Sequence, residues 1–196
     1  MIVNNACVKN GDNDMNRRLF ISGCLGMYAG AVILPSVIKF LYSKGNIIEM
    51  ELSSGIVMIQ LFPDLAPNHV SRIKTLINLN FYDGMPFARV INGFMAQTGE
   101  PIKKPLFDHK RLPKLATEIT HLPFERGTLG MARTRNLHSA CHQFFITTDR
   151  ARFLDRNYTV FGKVIKGMEF IDQIRCGDAE LGTVVNPDMI KKMRLV

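Results

Sequence analysis

The chain has 196 residues, a formal net charge of +8, 46% hydrophobic residues and no tryptophan. That length holds one ordinary domain with a full core plus a short appendage, and excludes two full domains. The positive charge invites a polyanion partner, but the basic residues are dispersed, and their densest patch (Lys103, Lys104, His109, Lys110, Arg111 and Lys114) contains two prolines and a single aromatic, Phe107. This composition favours a solvated loop over a stacking platform, so nucleic acid is not expected as a partner.

In chain order, residues 1–14 are polar and unpatterned, with Met15 as an alternative start. Asn16-Arg17-Arg18-Leu19-Phe20-Ile21 resembles a twin-arginine export signal, and no charged side chain occurs from Leu19 to Ile38. Such a run spans a hydrocarbon core, which takes about 20 helical residues, although Gly23, Gly26, Gly30 and Pro35 weaken a rigid helix. Ala29-Gly30-Ala31 offers a small-residue cleavage site, whereas Ile21-Ser22-Gly23-Cys24 follows the arginines too closely for a lipoprotein box. Residues 1–44 are therefore expected to be an export signal or membrane anchor. A retained anchor, a cleaved signal and a buried soluble helix remain open, with membrane contact through residues 19–38 in the first case.

The domain is expected over residues 45–196. Asn46 to Leu52 and Ile56 to Leu61 read as a hairpin around Ser53-Ser54-Gly55, with Ile48, Met50 and Leu52 on one face. Val70, Ile73, Leu76 and Ile77 recur at helical spacing after Pro67, and His69 is expected on the solvent side of that helix. Tyr82 is expected in the core. The run from Phe87 to Gly99 is unusual, because alternation places Phe87, Arg89 and Ile91 on one sheet face, with a charge among apolar neighbours. Gly93 turns the chain; Phe94 and Met95 then wall an apolar slot, and Gln97 supplies donors and an acceptor beside the cation.

Strands are expected around Leu129 to Ala132, Gln143 to Thr147 and Tyr158 to Val164, a short helix at Met168, Ile171 and Ile174, and a last strand within Val184 to Val196, apolar at Ile190 and Leu195. His138, Cys141 and His142 are of ligating type, but adjacent residues in a short loop rarely converge on one ion, and no metal is expected. Ser139, Cys141 and His142 lack the spacing of a nucleophilic triad. Of the four cysteines, only Cys141 and Cys176 fall in the domain.

Arg89-Val90-Ile91 with Phe94-Met95-Ala96-Gln97, Met131-Ala132-Arg133-Thr134, Gln143-Phe144-Phe145, Phe153-Leu154-Asp155 and Tyr158 through Val164 occur in an order that resembles the cyclophilin family of peptidyl-prolyl cis-trans isomerases, in its bacterial branch. The resemblance runs from about Ile47 to the C-terminus. It implies a mainly β fold, a closed antiparallel eight-stranded β-barrel capped by two α-helices, which the pattern of many strands and two helices also favours. It implies rotation of X-Pro bonds in proline-containing polypeptides, protein-folding assistance, no cofactor and a monomer. With an export signal, the place of action is the periplasm or the periplasmic face of the inner membrane; without one, the cytoplasm.

By the same resemblance Arg89 and Gln97 are catalytic, and Phe94, Met95, Ala132, Arg133, Gln143, Phe145, Phe153, Leu154 and Tyr158 bind substrate. Tyr158 stands where many relatives carry histidine and Phe153 where some carry tryptophan. The loops from Glu100 to Lys114, which has no glycine, and from Asn136 to His142 depart from the family pattern. They leave open an alternative, a proline-segment binding module or chaperone with little turnover.

Overall fold

A computed structural model describes residues 45–102, 108 and 111–196. The export-signal expectation and most of the basic loop lie outside the described residues. The chain forms β1 (Ile47–Glu51), β2 (Ile56–Leu61), α1 (Pro67–Asn78), β3 (Met85–Pro86), β4 (Arg89–Ile91) and β5 (Met95–Thr98). There follow β6 (Thr128–Met131), β7 (Phe144–Thr147), a 3-10 turn (Arg152–Leu154), β8 (Val160–Lys166), α2 (Met168–Ile171), β9 (Met189–Ile190) and β10 (Lys192–Leu195). The hairpin closes as the sequence predicts: Ile48 faces Ile59 and Met50 faces Val57, all fully buried. Each such side chain stabilises the fold by about 1.5–3 kcal/mol relative to exposure.

Eight strands form one antiparallel sheet in the order β10-β1-β2-β8-β6-β7-β5-β4. Among the described residues its end strands β10 and β4 share no ladder; the sheet is curled, compatible with the expected eight-stranded barrel, and its ends are linked indirectly. The separate β3–β9 pair supplies that link: Gly84 and Phe87 donate to Ile190 O and Asp188 O, and Val90 donates to Gly182 O. The expected last strand is thus two pieces, and the break at Lys191 resets the alternation after Ile190, so that Met193, 2% exposed opposite Met50, faces inward and Leu195 packs against the same core. Likewise β8 starts two residues after Tyr158, whose N–H is held instead by Leu154 O at the 3-10 turn.

Pro67 starts α1 with its φ already set and no N–H to satisfy. Asn80 ends it in the left-handed region at φ 53°, with Phe81 donating back to Leu76 O. Val70, Ile73, Leu76 and Ile77 join the interior cluster. His69 is buried too, contrary to the expected solvent position: it is 0% exposed, and its Nδ1 lies 2.5 Å from Glu118 Oε2. The sequence around α1 holds no acid at helical spacing, because the partner comes from 49 residues away. Ala66 gives α1 no side-chain cap, and Glu118 supplies one by accepting the N–H groups of Asn68 and His69, each at 3.0 Å.

Burial lowers the His69 pKa from its ordinary 6.5 against the opposing pull of Glu118, so the ring is neutral, donating from Nδ1. Burial works to raise Glu118, but bonds from the His69 ring and from Asn68 and His69 backbone outweigh it and hold the carboxyl below 4.5. Both groups bind protons more weakly folded than unfolded. Stability present at neutral pH is therefore lost as pH falls through 6.5, and again below 4.5. The urea midpoint is expected to be lower at pH 5 than at pH 7.5, and His69→Gln to flatten that slope; an unchanged slope in the variant would exclude His69 as its source.

Candidate active site

The outer face of the sheet carries a second apolar cluster, and strand register explains its position. Arg89 pairs with Gln97, Gln97 with Phe145, Phe145 with Gly130, and Gly130 with Val160, forming one row of side chains across five strands. The alternate positions Val90, Ala96, Ile146 and Leu129 face the interior. Phe87 belongs to that interior and is 0% exposed, so it does not share a face with Arg89 as alternation predicts. The chain leaves the ladder between Pro86 and Arg89, which resets the period. Arg89 is exposed rather than half-buried, standing at a rim.

Met95, Phe124, Phe145, Ala151, Leu154 and Val160 are buried in this outer cluster, with Phe94, Ala132 and Tyr158 packed against it. Phe145 is fixed on both sides: its ring stacks on Phe124 at 5.6 Å and meets Tyr158 edge-on at 5.8 Å. Beneath it, a Cβ on Gly130 would fall inside contact distance of Phe145 and 2.6 Å from Phe124 Cε1. Gly130→Ala is therefore expected to displace both rings, with a loss of about 1–3 kcal/mol in stability and a fall in isomerase kcat/KM. Wild-type thermal stability and rate would contradict this packing.

Asp155 and Arg150 brace the cluster from behind. The carboxylate accepts Phe124 N–H at 2.8 Å and pairs with Arg150, which also reaches Glu125 at 2.8 Å. The Arg150 bond, then the Phe124 N–H, holds the Asp155 carboxyl below its ordinary value.

A recess of about 300 Å³ opens over this floor. Arg89, Gln97, Phe94, Met95, Ala132, Arg133, Gln143, Phe145, Leu154 and Tyr158 line it, as the sequence predicts. Phe153 does not line it; 67% exposed, it packs against Phe94 at 5.1 Å beside the recess. The recess extends past the aromatic floor to Lys114, Thr134, Ser139, Cys141 and His142. Lys114 is thus part of the site's wall, not merely of a solvated loop. Cys141 and Cys176 are both free thiols.

The guanidinium of Arg89 is held from two sides. Nε donates to Leu181 O at 2.9 Å and Nη1 to Gln97 Oε1 at 3.5 Å, while Nη2 has no protein partner among the described residues. Leu181 is itself placed by Asp178, whose carboxylate accepts the N–H groups of Leu181, Thr183 and Glu180 at 2.6, 2.8 and 3.0 Å. Those bonds, that of Leu181 foremost, lower the Asp178 pKa. Gln97 Nε2 continues to Gln143 Oε1 at 3.0 Å, and Gln143 Nε2 to Glu100 Oε2 at 2.5 Å. Arg133 lies over the Tyr158 ring, 4.3 Å from its centroid, and donates to Thr134 O and Asn157 O.

Sequence reasoning missed Glu100, Phe124 and the Leu181 carbonyl. Asp178 followed four residues later by Gly182 is a turn signal that points to the last; Phe124 lies in an irregular segment with no periodicity to expose it.

A family model described as cyclophilin type peptidyl-prolyl cis-trans isomerase/CLD matches residues 47–195. A probable peptidyl-prolyl cis-trans isomerase of Brucella suis is 46% identical over 158 residues, covering 75% of this chain and 81% of the relative. Peptidyl-prolyl cis-trans isomerase B of Bacillus subtilis is 37% identical over 139 residues, covering 71% of this chain and 90% of its own. A solved cyclophilin from Hirschia baltica superimposes with a TM-score of 0.67 at 25% identity, over 78% of this chain and 74% of that one. Sequence, sheet order and outer-face recess agree, and the chain belongs to the cyclophilin-type peptidyl-prolyl cis-trans isomerase family.

Proposed function

We propose that the isomerase activity of this chain runs on Arg89, with Gln97 holding it, and that the apolar floor receives a proline ring from a polypeptide. Rotation of an X-Pro amide faces a barrier of about 18–20 kcal/mol, because the nitrogen lone pair is shared with the carbonyl. At the twisted geometry the pair is localised on a pyramidal nitrogen that accepts a hydrogen bond, and a donor aimed there favours the transition state over both planar forms. The observation that carries the reading is the Arg89 guanidinium, fixed through Nε and Nη1 at the rim of an apolar recess with Nη2 unassigned.

Phe94, Met95, Phe145 and Leu154 enclose the ring, while Ala132, Arg133, Gln143 and Tyr158 line the path of the adjoining backbone. Phe153 serves, through Phe94, as an outer flank. The alternative, a module that holds proline segments with little turnover, draws on the polar extension of the recess towards Lys114 and His142. A protease-coupled assay of the full chain on a short X-Pro peptide separates the two: turnover lost on Arg89→Ala supports catalysis, and binding without turnover in the wild type supports the alternative.

The substrates are exported polypeptides, acted on at or beyond the inner membrane, on the strength of Arg17-Arg18 and the uncharged run from Leu19 to Ile38; the monomer is what the family resemblance implies. Recovery solely in soluble cytoplasm on cell fractionation would exclude export, and a dimer in gel filtration would exclude the monomer.

A further inference from the structure

We propose that Glu100 is a positioning residue that sets the direction of the hydrogen-bond chain behind Arg89; the inference rests on Arg89 being catalytic. The chain runs Arg89 Nη1 to Gln97 Oε1, Gln97 Nε2 to Gln143 Oε1, and Gln143 Nε2 to Glu100 Oε2. Each amide has one accepting and one donating end, so a pair of glutamines by itself accommodates two senses of bonding. The groups at the ends do not. A guanidinium only donates and an ionised carboxylate only accepts, and with one at each end a single sense leaves no donor facing a donor. In that sense Gln97 turns its oxygen to Arg89.

The backbone is shaped to bring the carboxylate to this place. Gly99 sits at φ 106°, and a Cβ there would lie 2.7 Å from Gln143 Cα and 2.8 Å from His142 O. That close approach joins the end of β5 to the residue before β7, which is why Glu100 meets an amide far along the chain. The Glu100 side chain is 54% exposed, with His142 Nε2 4.0 Å from the same oxygen. It serves no packing role that would make its replacement a folding defect.

With glutamine at position 100 the end group both donates and accepts, and the reversed chain, which sets the Gln97 amide nitrogen against Arg89, is opposed at one end instead of two. The expected fall in kcat is about three- to tenfold, the scale of one net hydrogen bond. The experiment measures kcat by the protease-coupled assay and peptide affinity by NMR titration on the full chain, for wild type, Glu100→Gln, Glu100→Asp, Gln97→Ala, the double variant Glu100→Gln/Gln97→Ala, and Arg89→Ala. The proposal expects Glu100→Gln to lose rate at unchanged affinity, Glu100→Asp to recover most of it, and the Glu100→Gln effect to vanish once Gln97 is gone. A Glu100→Gln rate equal to wild type, with Arg89→Ala impaired, overturns the relay and leaves the catalytic reading standing. An equal loss with and without Gln97 overturns it too, by showing that Glu100 acts directly on substrate. Full activity in Arg89→Ala removes the underlying reading and the relay together.

Discussion

Glu118→Ala is expected to cost about 2–4 kcal/mol of stability, on the scale of a lost helix cap plus buried donors left unpaired. That is about 5–15 °C in Tm for a domain of this size. The carboxylate accepts four donors: the N–H and Nδ2 of Asn68 at 3.0 and 2.8 Å, and the N–H and Nδ1 of His69 at 3.0 and 2.5 Å. Two of these are N–H groups of the first turn of α1, which has no side-chain cap of its own at Ala66. A third belongs to a ring with 0% exposure, where no water replaces the lost acceptor. Glu118→Gln is expected to cost less, since one oxygen still accepts from the helix while the amide nitrogen faces another donor. Thermal unfolding of the three proteins at pH 7.5 checks the order; a Tm for Glu118→Ala within 2 °C of wild type, well inside the roughly 5 °C lower bound, would show that α1 does not depend on this cap.

Arg89→Ala is expected to lower kcat/KM by about 10²–10³-fold, the loss seen when one preorganised donor is removed from a site where charge develops in the transition state. On the proposed mechanism the lost interaction belongs to the transition state alone, so the loss is expected to fall on kcat, with KM moving little. The substitution touches none of Met95, Phe145 and Leu154 in the apolar floor, so on the proposed reading the variant is expected still to receive a planar proline. Arg89→Lys is expected to recover little of the rate. An ammonium is a point charge on a flexible stem, whereas Arg89 spends Nε on Leu181 O and Nη1 on Gln97 and still presents Nη2.

Much of this was legible in the sequence because the sheet writes it with period two. Ile48, Met50 and Leu52, or Val70, Ile73, Leu76 and Ile77 on the helix, declare their buried face by spacing alone, and all are buried. The residues around the recess were legible for a different reason: Arg89, Gln97 and Phe145 lie on three strands, and only their resemblance to a known order of motifs placed them together before register did. What spacing did not reveal depended on distant chain. His69 was misplaced because Glu118 is not its neighbour in sequence. Phe87 was assigned the wrong face because alternation assumes an unbroken strand, and the ladder breaks before Arg89. Phe153 sits on a 3-10 turn, where neither strand nor helix period tells which way a ring leans.

The most direct test of the account measures, by NMR exchange spectroscopy at saturating X-Pro peptide, the cis–trans rate of the bound peptide in wild type and Arg89→Ala, together with its affinity for each. The account predicts an exchange rate that collapses in the variant while the dissociation constant stays within a few-fold of wild type. Unchanged exchange in the bound peptide would contradict it, whatever became of affinity, because the guanidinium would then be no part of what stabilises the twisted amide.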